Sequence, residues 1–204
     1  MRRGGRWERC PILGNELRNR LTTKIESLVD GEWQRHTYSD TFAREPTRGV
    51  TRLRIGPRGR HASLLLGLAA EIASPYKVLY VLHTPRGGSA AGRYESPALE
   101  GPQVGELFRR FAEFFAGDAR HDIWLHSGAD DATLVWDRHD LLYAYGPLDQ
   151  FVTALERRGL RPGEVPVIPS PHSHRYHSEW DPDERELVAE FDWMVTPLRP
   201  GDEQ

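Results

Sequence analysis

Cysteine is almost absent from the sequence, and its single copy, Cys10, excludes an intrachain disulfide. A lone thiol is typical of proteins in a reducing compartment, which favours the cytoplasm. No apolar run approaches the roughly 20 residues that a membrane-spanning helix requires. The basic residues 1–20 contain no apolar stretch, so we expect no signal peptide.

Lysine is scarce as well, because Lys24 and Lys77 are the only two and every other cation is arginine. This usage is typical of a GC-rich bacterial genome. Residues 1–61 carry 14 Lys and Arg against 7 Asp and Glu, whereas residues 62–204 carry 13 against 23. A basic N-terminal part can attract an acidic partner or nucleic acid, although such charge runs are usually solvated surface.

Length and composition indicate one soluble globular domain. The chain has 204 residues, of which 38% are hydrophobic and 28% charged. We predict a flexible basic segment at 1–12, a single domain at 13–197 and an acidic tail at 198–204. Strand patterns are short and often consecutive, with helical patterns between their clusters. The predicted class is therefore α+β, with a mixed, mainly antiparallel sheet flanked by four to five helices.

Several elements have clear patterns of their own. Residues 102–117 have the apolar spacing of a strong helix, and residues 76–83 read as a central strand that is apolar on both faces. Three strand patterns with hairpin-like turns predict a three-strand meander over about 121–146. Elsewhere we predict a helix over 13–28, loops over 39–49 and 84–101, an edge strand over 165–169, and a last helix from Asp181 with Glu184 in a capping box.

A histidine cluster is the most distinctive chemical feature. His172, His174 and His177 lie within six residues, and Glu179 follows closely. Imidazole and carboxylate groups are ligands of zinc and related metals, so these four side chains are candidate metal ligands. On a strand His172 and His174 share a face while His177 points away, so the three converge only if the backbone bends. The alternative is an exposed polar loop.

The spacing of the first two histidines and the glutamate is part of the first metal motif of cupins. The glycines that frame that motif are missing, and the residues that follow leave no place for the second motif. We therefore assign the chain to no family. If a metal binds, further ligands must come from elsewhere, and Asp137, His139 and Asp140 of the turn WDRHD are candidates.

Asp137 and His139 are also the candidate catalytic pair. A carboxylate beside a histidine can orient the ring for general-base chemistry. The alternative is that Asp137 only forms the hairpin turn, because Asp is a frequent turn residue.

The loop at 84–101 is a candidate anion site. Arg86, Gly87, Gly88 and Arg93 can hold an anion through backbone N–H groups and guanidinium forks. The loop lacks the Lys-Ser/Thr pair of a P-loop. The alternative is a mobile surface loop without a ligand.

No motif specific to one reaction is present in the sequence. We therefore predict a small cytoplasmic protein without catalysis or cofactor that acts on a protein partner, as an adaptor or immunity-like module. The alternative is a metal-dependent hydrolase or other metalloenzyme that uses the histidine cluster with zinc or another divalent transition metal. We expect no membrane partner, and nucleic acid is not favoured, although Arg52 and Arg54 beside Trp33 and Tyr38 offer a basic aromatic face.

Overall fold

The computed structural model of the protein describes residues 22–202. Its helices are α1 (His61–Ala69), α2 (Gly101–Gly117), α3 (Leu148–Arg157) and α4 (Asp181–Val188), with a single 3-10 turn at Ser178–Trp180. Its strands are β1 (Ile25–Val29), β2 (Glu32–Arg35), β3 (Thr41–Pro46), β4 (Thr51–Gly56), β5 (Tyr76–Leu82), β6 (Gly92–Glu95), β7 (His121–Ser127), β8 (Ala132–Trp136), β9 (Leu142–Tyr145), β10 (Arg161–Pro162), β11 (His172–His174) and β12 (Met194–Thr196).

Two sheets account for the strands of residues 22–202. The large sheet has nine strands in the order β10-β3-β4-β9-β8-β7-β5-β6-β12, and the small sheet has the order β11-β1-β2. Their strand pairs are antiparallel except β10 and β3, which run parallel. This architecture confirms the predicted α+β class with a mixed, mainly antiparallel sheet. The neighbours β7, β8 and β9 confirm the predicted meander.

The large sheet buries both of its faces, as β8 shows. Leu134 and Trp136 belong to the main core, whereas Val135 between them belongs to a second cluster, so the two clusters lie on opposite faces. Apolar side chains of all four helices pack in the main core. The second cluster consists of Tyr38, Val135, Leu141, Tyr143 and Val165, with Trp124, Tyr145 and Ile168 packed against it.

The helix predicted over 13–28 is wrong where the structure describes it, because Ile25–Val29 is strand β1. Residues 1–21, and with them Cys10 and the basic segment, lie outside the described residues. The Asp30-Gly31 turn has φ values of 51° and 83°, which suit a type I′ hairpin turn between β1 and β2. The apolar residues of this segment also have the spacing of a helix. The segment is nevertheless a strand, because β1 pairs with β2 on one side and with β11 on the other.

Three further local predictions need correction. The predicted loop at 39–49 contains β3, and the predicted loop at 84–101 contains β6, because each segment pairs with a neighbouring strand. The predicted edge strand at 165–169 is absent from the described sheets. Instead Val165 is buried in the second cluster, and its carbonyl accepts a hydrogen bond of 3.1 Å from Arg54.

Candidate metal centre

His172 and His174 lie on β11, the edge strand of the small sheet. β11 pairs with β1, with His174 opposite Ile25 and His172 opposite Ser27. Since residues two apart on a strand point to the same side, both imidazoles lie on one face of the small sheet. Ile25 and Ser27 are buried on that face, so it packs inward against the rest of the molecule. This is the arrangement that the sequence predicted for a strand.

His139 approaches the pair from the large sheet. It lies in the turn between β8 and β9, where the Asp137 carboxylate accepts hydrogen bonds from the backbone N–H groups of His139 (2.9 Å) and Leu141 (2.8 Å). The turn-forming role expected of Asp137 is therefore present. The turn points His139 at the small sheet, with its ring centroid 4.9 Å from His174 and 5.9 Å from His172.

The three histidines lie close together. One ring nitrogen from each of His139, His172 and His174 can be chosen so that all three lie within 4.8 Å of one another. The rings of His172 and His174 are 5.6 Å apart at their centroids and nearly perpendicular. Together the three side chains can present three nitrogen lone pairs to a single ion.

Asp137 lies behind His139. Its Oδ2 atom is 3.3 Å from Nδ1 of His139, so the ring can donate that N–H to the carboxylate. A histidine held in this way leaves Nε2 free as a ligand, and its carboxylate partner fixes the ring orientation and tautomer. Asp137 and His139, the pair considered for catalysis, thus lie side by side at the histidine cluster.

His174 is the most enclosed of the three rings. Its Nε2 atom is buried and has no hydrogen-bond partner within residues 22–202. Burial lowers the pKa of His174 to about 4, and the positive charges of His139, Arg138 and His172 act in the same direction. The neutral imidazole, which is the form that binds metal, is therefore favoured at neutral pH.

Lys24 holds the turn in place through a contact that the sequence analysis did not predict. The side chain is buried, and its ammonium group donates a 2.8 Å hydrogen bond to the carbonyl of Asp137. It also lies 3.6 Å from the Asp140 carboxylate and 5.0 Å from the centre of the Trp136 ring. Asp140 therefore contacts Lys24 and is not among the converging groups of the described residues.

The structure does not bring His177 and Glu179 to this point. His177 is buried elsewhere, with Nε2 3.1 Å from the carbonyl of Thr23 and its backbone N–H donating to Asp118. Glu179 lies in the 3-10 turn, where its carboxylate is 3.2 Å from the Ser178 hydroxyl. Of the four predicted ligands, His172 and His174 lie close together. His139, which the sequence analysis named as a further candidate, lies beside them.

The residues of the predicted anion loop bind carboxylates of the protein itself. The backbone N–H groups of Arg86 and Gly87 donate to Glu184, at 3.0 Å and 2.8 Å. A Cβ on Gly87 would lie 2.8 Å from Oε1 of Glu184, so this close approach requires glycine. Gly88 follows with a φ of 101°, and the Arg93 guanidinium pairs with Asp202.

Glu184 does not form the predicted capping box, because residue Trp180, and not Asp181, is the N-cap of α4. Its carboxylate is fully buried and also accepts a 2.7 Å hydrogen bond from Arg120. Arg120 is fully buried too and makes a two-pronged pair with Asp118. Burial disfavours its charge, yet the hydrogen bonds that Arg120 donates to Asp118 and Glu184 raise its pKa above the usual value.

The basic aromatic face considered for nucleic acid is divided in the structure. Arg52 bonds to Glu45 and to the Tyr145 hydroxyl, and Arg54 bonds to carbonyls of the 165–166 segment. Tyr38 is buried, and its hydroxyl donates to the carbonyl of His139. Trp33 lies on the small sheet, whereas Arg52 and Arg54 lie on the large sheet. The four side chains therefore do not form one surface.

Comparisons of the chain with protein-family models, with curated proteins and with solved structures find no match. Among the described residues, no helix has the length and apolar character needed to cross a membrane. The case for a function therefore depends on the geometry of the histidine cluster.

Proposed function

We propose that the protein binds a divalent transition metal through His139, His172 and His174, with zinc as the first candidate. The convergence of their three ring nitrogens within 4.8 Å supports this proposal. Nitrogen ligands around tetrahedral zinc are about 3.3 Å apart, so each nitrogen has to move by about 1 Å or less. Small side-chain rotations supply that movement, and His172 is exposed and free to make it.

The three ligands found among residues 22–202 favour a catalytic over a structural metal. Structural zinc sites use four protein ligands, whereas catalytic sites use three and keep a fourth position for water. Imidazole nitrogens suit zinc, copper, iron and nickel, and not calcium or magnesium. A metal held in this way lowers the pKa of its bound water to about 7, which supplies the nucleophile of metal-dependent hydrolases. We therefore propose metal-assisted hydrolysis as the reaction class.

Metal analysis of untagged protein, purified without chelator, tests the proposal. We expect close to one zinc, or another divalent transition metal, per chain by elemental mass spectrometry. His172→Ala should lose the metal and stay folded, because this side chain is exposed. The matched control is His126→Ala on β7, where the imidazole hydrogen-bonds to Thr133. Folded wild-type protein that carries no metal, and that is not stabilised by added zinc, would contradict the proposal.

A second candidate function is the binding of a protein partner, as the sequence predicted. Its support is the β1–β2 hairpin, where Leu28, Val29 and Trp33 are 36%, 38% and 47% exposed. Aromatic residues exposed together with aliphatic ones are enriched at interfaces. Cross-linking from the hairpin should then identify one protein that Trp33→Ser no longer captures, with metal content unchanged. Equal capture by the variant would contradict this role.

A further inference from the structure

A cleft opens on the second face of the large sheet, directly beside the histidine cluster. Its cavity of about 50 Å³ is lined at one end by Asp137, Arg138 and His139. Gly201 and Asp202 of the C-terminal segment line it as well. A molecule in this cleft would contact the same turn that carries His139, so it would lie next to the proposed metal.

The walls of the cleft are aromatic and contain arginine. Trp124, Tyr143 and Tyr145 line it from β7 and β9. The Arg52 guanidinium lies 4.0 Å over the ring of Tyr143 and donates to the Tyr145 hydroxyl at 2.8 Å. Arg93 does not line the cleft itself, but its guanidinium lies directly behind two lining residues, 5.4 Å from the centre of the Trp124 ring and paired with Asp202. Such walls suit a flat or apolar body that carries a negative charge.

One hydrogen-bond donor at the cleft lacks an acceptor among the described residues. Trp124 Nε1, which can only donate, is buried and has no acceptor within residues 22–202. Two carboxylates of the lining already have donors of their own. Asp122 accepts from the Arg138 N–H and contacts His83, while Asp137 accepts from the turn at His139. A ligand that brings oxygen acceptors would satisfy the indole N–H.

Asp202 already places one carboxylate at this point. It is only 6% exposed, forms an ion pair with buried Arg93, and accepts a 2.7 Å hydrogen bond from the backbone N–H of Arg199. This part of the predicted acidic tail therefore packs on the domain. It follows β12, an edge strand that pairs only with β6 among the described residues. The segment can leave without breaking the sheet, and its departure would enlarge a cavity of about 50 Å³ that now has room for only a few waters.

We propose that this cleft is the substrate subsite of the metal centre, and that it binds a small organic anion with an aromatic or apolar body whose carboxylate replaces Asp202 on Arg93. The assignment rests on the proposed metal-dependent function. Asp202 occupies the anion position on Arg93, and the C-terminal residues Gly201 and Asp202 lie against the cleft. Ligand and Asp202 therefore compete for the same guanidinium.

Binding of benzoate to the chelator-treated, metal-free protein tests this subsite, because a metal would itself bind carboxylates. The neutral amide benzamide, of nearly the same shape, is the comparison probe. Binding is followed by the indole N–H resonance of Trp124, which Trp124→Phe identifies among the six tryptophans. We expect benzoate to shift this resonance and benzamide to bind at least about tenfold more weakly, as the loss of a charge-assisted hydrogen bond predicts.

Removal of the competing carboxylate gives the sharper result. Asp202→Asn should tighten benzoate binding severalfold, whereas the control Asp149→Asn, at an exposed ion pair with Arg44, should leave it unchanged. Equal binding of benzamide and benzoate, or no gain in Asp202→Asn, would overturn the subsite. Zinc content is measured on the same preparations. A protein that binds zinc but no benzoate refutes the subsite alone, and one that binds benzoate but no metal refutes the proposed function alone.

Discussion

The ring of His139 lies 4.9 Å from the ring of His174, although the first belongs to a turn of the large sheet and the second to an edge strand of the small sheet. The histidine cluster is therefore a junction between the two sheets. A metal at this junction would link them, so metal binding should stabilise the packing of the small sheet as well as supply chemistry.

Substitution of His172 and of His177, one at a time, tests which histidines bind the metal. His172 belongs to the cluster in the structure, whereas His177 is near it only in sequence. His172→Ala should abolish stoichiometric zinc binding with little loss of stability, because this ring is exposed and its proposed role is that of a metal ligand. His177→Ala should leave zinc binding intact but lower the melting temperature, because His177 is buried and contacts the Thr23 carbonyl. Calorimetric zinc titration and thermal unfolding of both variants check this. Loss of zinc in His177→Ala with full retention of fold would contradict the assignment.

Asp137→Asn tests the carboxylate behind His139. The amide keeps an oxygen that can accept from the turn N–H groups, but it lacks the negative charge that holds the His139 ring in its orientation. We expect zinc affinity to fall by about 10- to 100-fold, as for other second-sphere partners, while a site remains. Competition titration with a chelating dye measures this loss. Asp149→Asn is the control, and an unchanged affinity would show that Asp137 only shapes the turn.

Part of this site could be predicted from the sequence. The two-residue spacing implies that His172 and His174 share a face if the segment is a strand, and it is strand β11 in the structure. The turn containing His139 was named as a source of further ligands. The meeting of the two segments depends on the pairing of β11 with β1 and on the contact of Lys24 with the Asp137 carbonyl. Both are long-range contacts, which local patterns do not encode.

The same limit explains the errors. Leu28 and Ile25 fit a helical stripe in sequence, and only the pairing of β1 with two neighbours makes the segment a strand. Glu184 has the spacing of a capping residue, yet buried Arg120 and the loop N–H groups bind its carboxylate instead. By contrast the meander and α2 follow from local periodicity and short turns, so they could be predicted.

Glu184→Ala should be strongly destabilising. It removes a buried carboxylate that pairs with Arg120 and accepts from the N–H groups of Arg86 and Gly87. Arg120 keeps its pair with Asp118, but the loop N–H groups lose their acceptor, and each buried donor left unsatisfied costs about 1–3 kcal/mol. Glu186→Ala, which removes an exposed partner of Arg110, should cost about 1 kcal/mol or less. Urea unfolding compares the two, and similar losses would contradict the structural role of Glu184.

Acid should destabilise the protein through His121. This ring is fully buried between Tyr80 and Phe114, and neither of its nitrogens has a hydrogen-bond partner within residues 22–202. Burial lowers its pKa well below the usual value, and the charges of Lys24, Arg120 and His83 act in the same direction. His121 on an unfolded chain titrates near pH 6.5, so the unfolded state binds the extra proton first. Stability is therefore complete above about pH 6.5 and falls as the pH is lowered, by up to about 1.4 kcal/mol per pH unit.

His121→Phe provides the test of this acid sensitivity. The variant fills a similar volume without a titratable group, so its free energy of unfolding should decline less steeply between about pH 7 and pH 5 than that of the wild type. Metal-free protein is used, so that ligand protonation at the histidine cluster does not add a second pH dependence. A smaller slope should remain, because burial also lowers the pKa of His61 on α1. The half-buried His126 is replaced by phenylalanine as the control, and equal slopes in the wild type and His121→Phe would exclude His121 as the source.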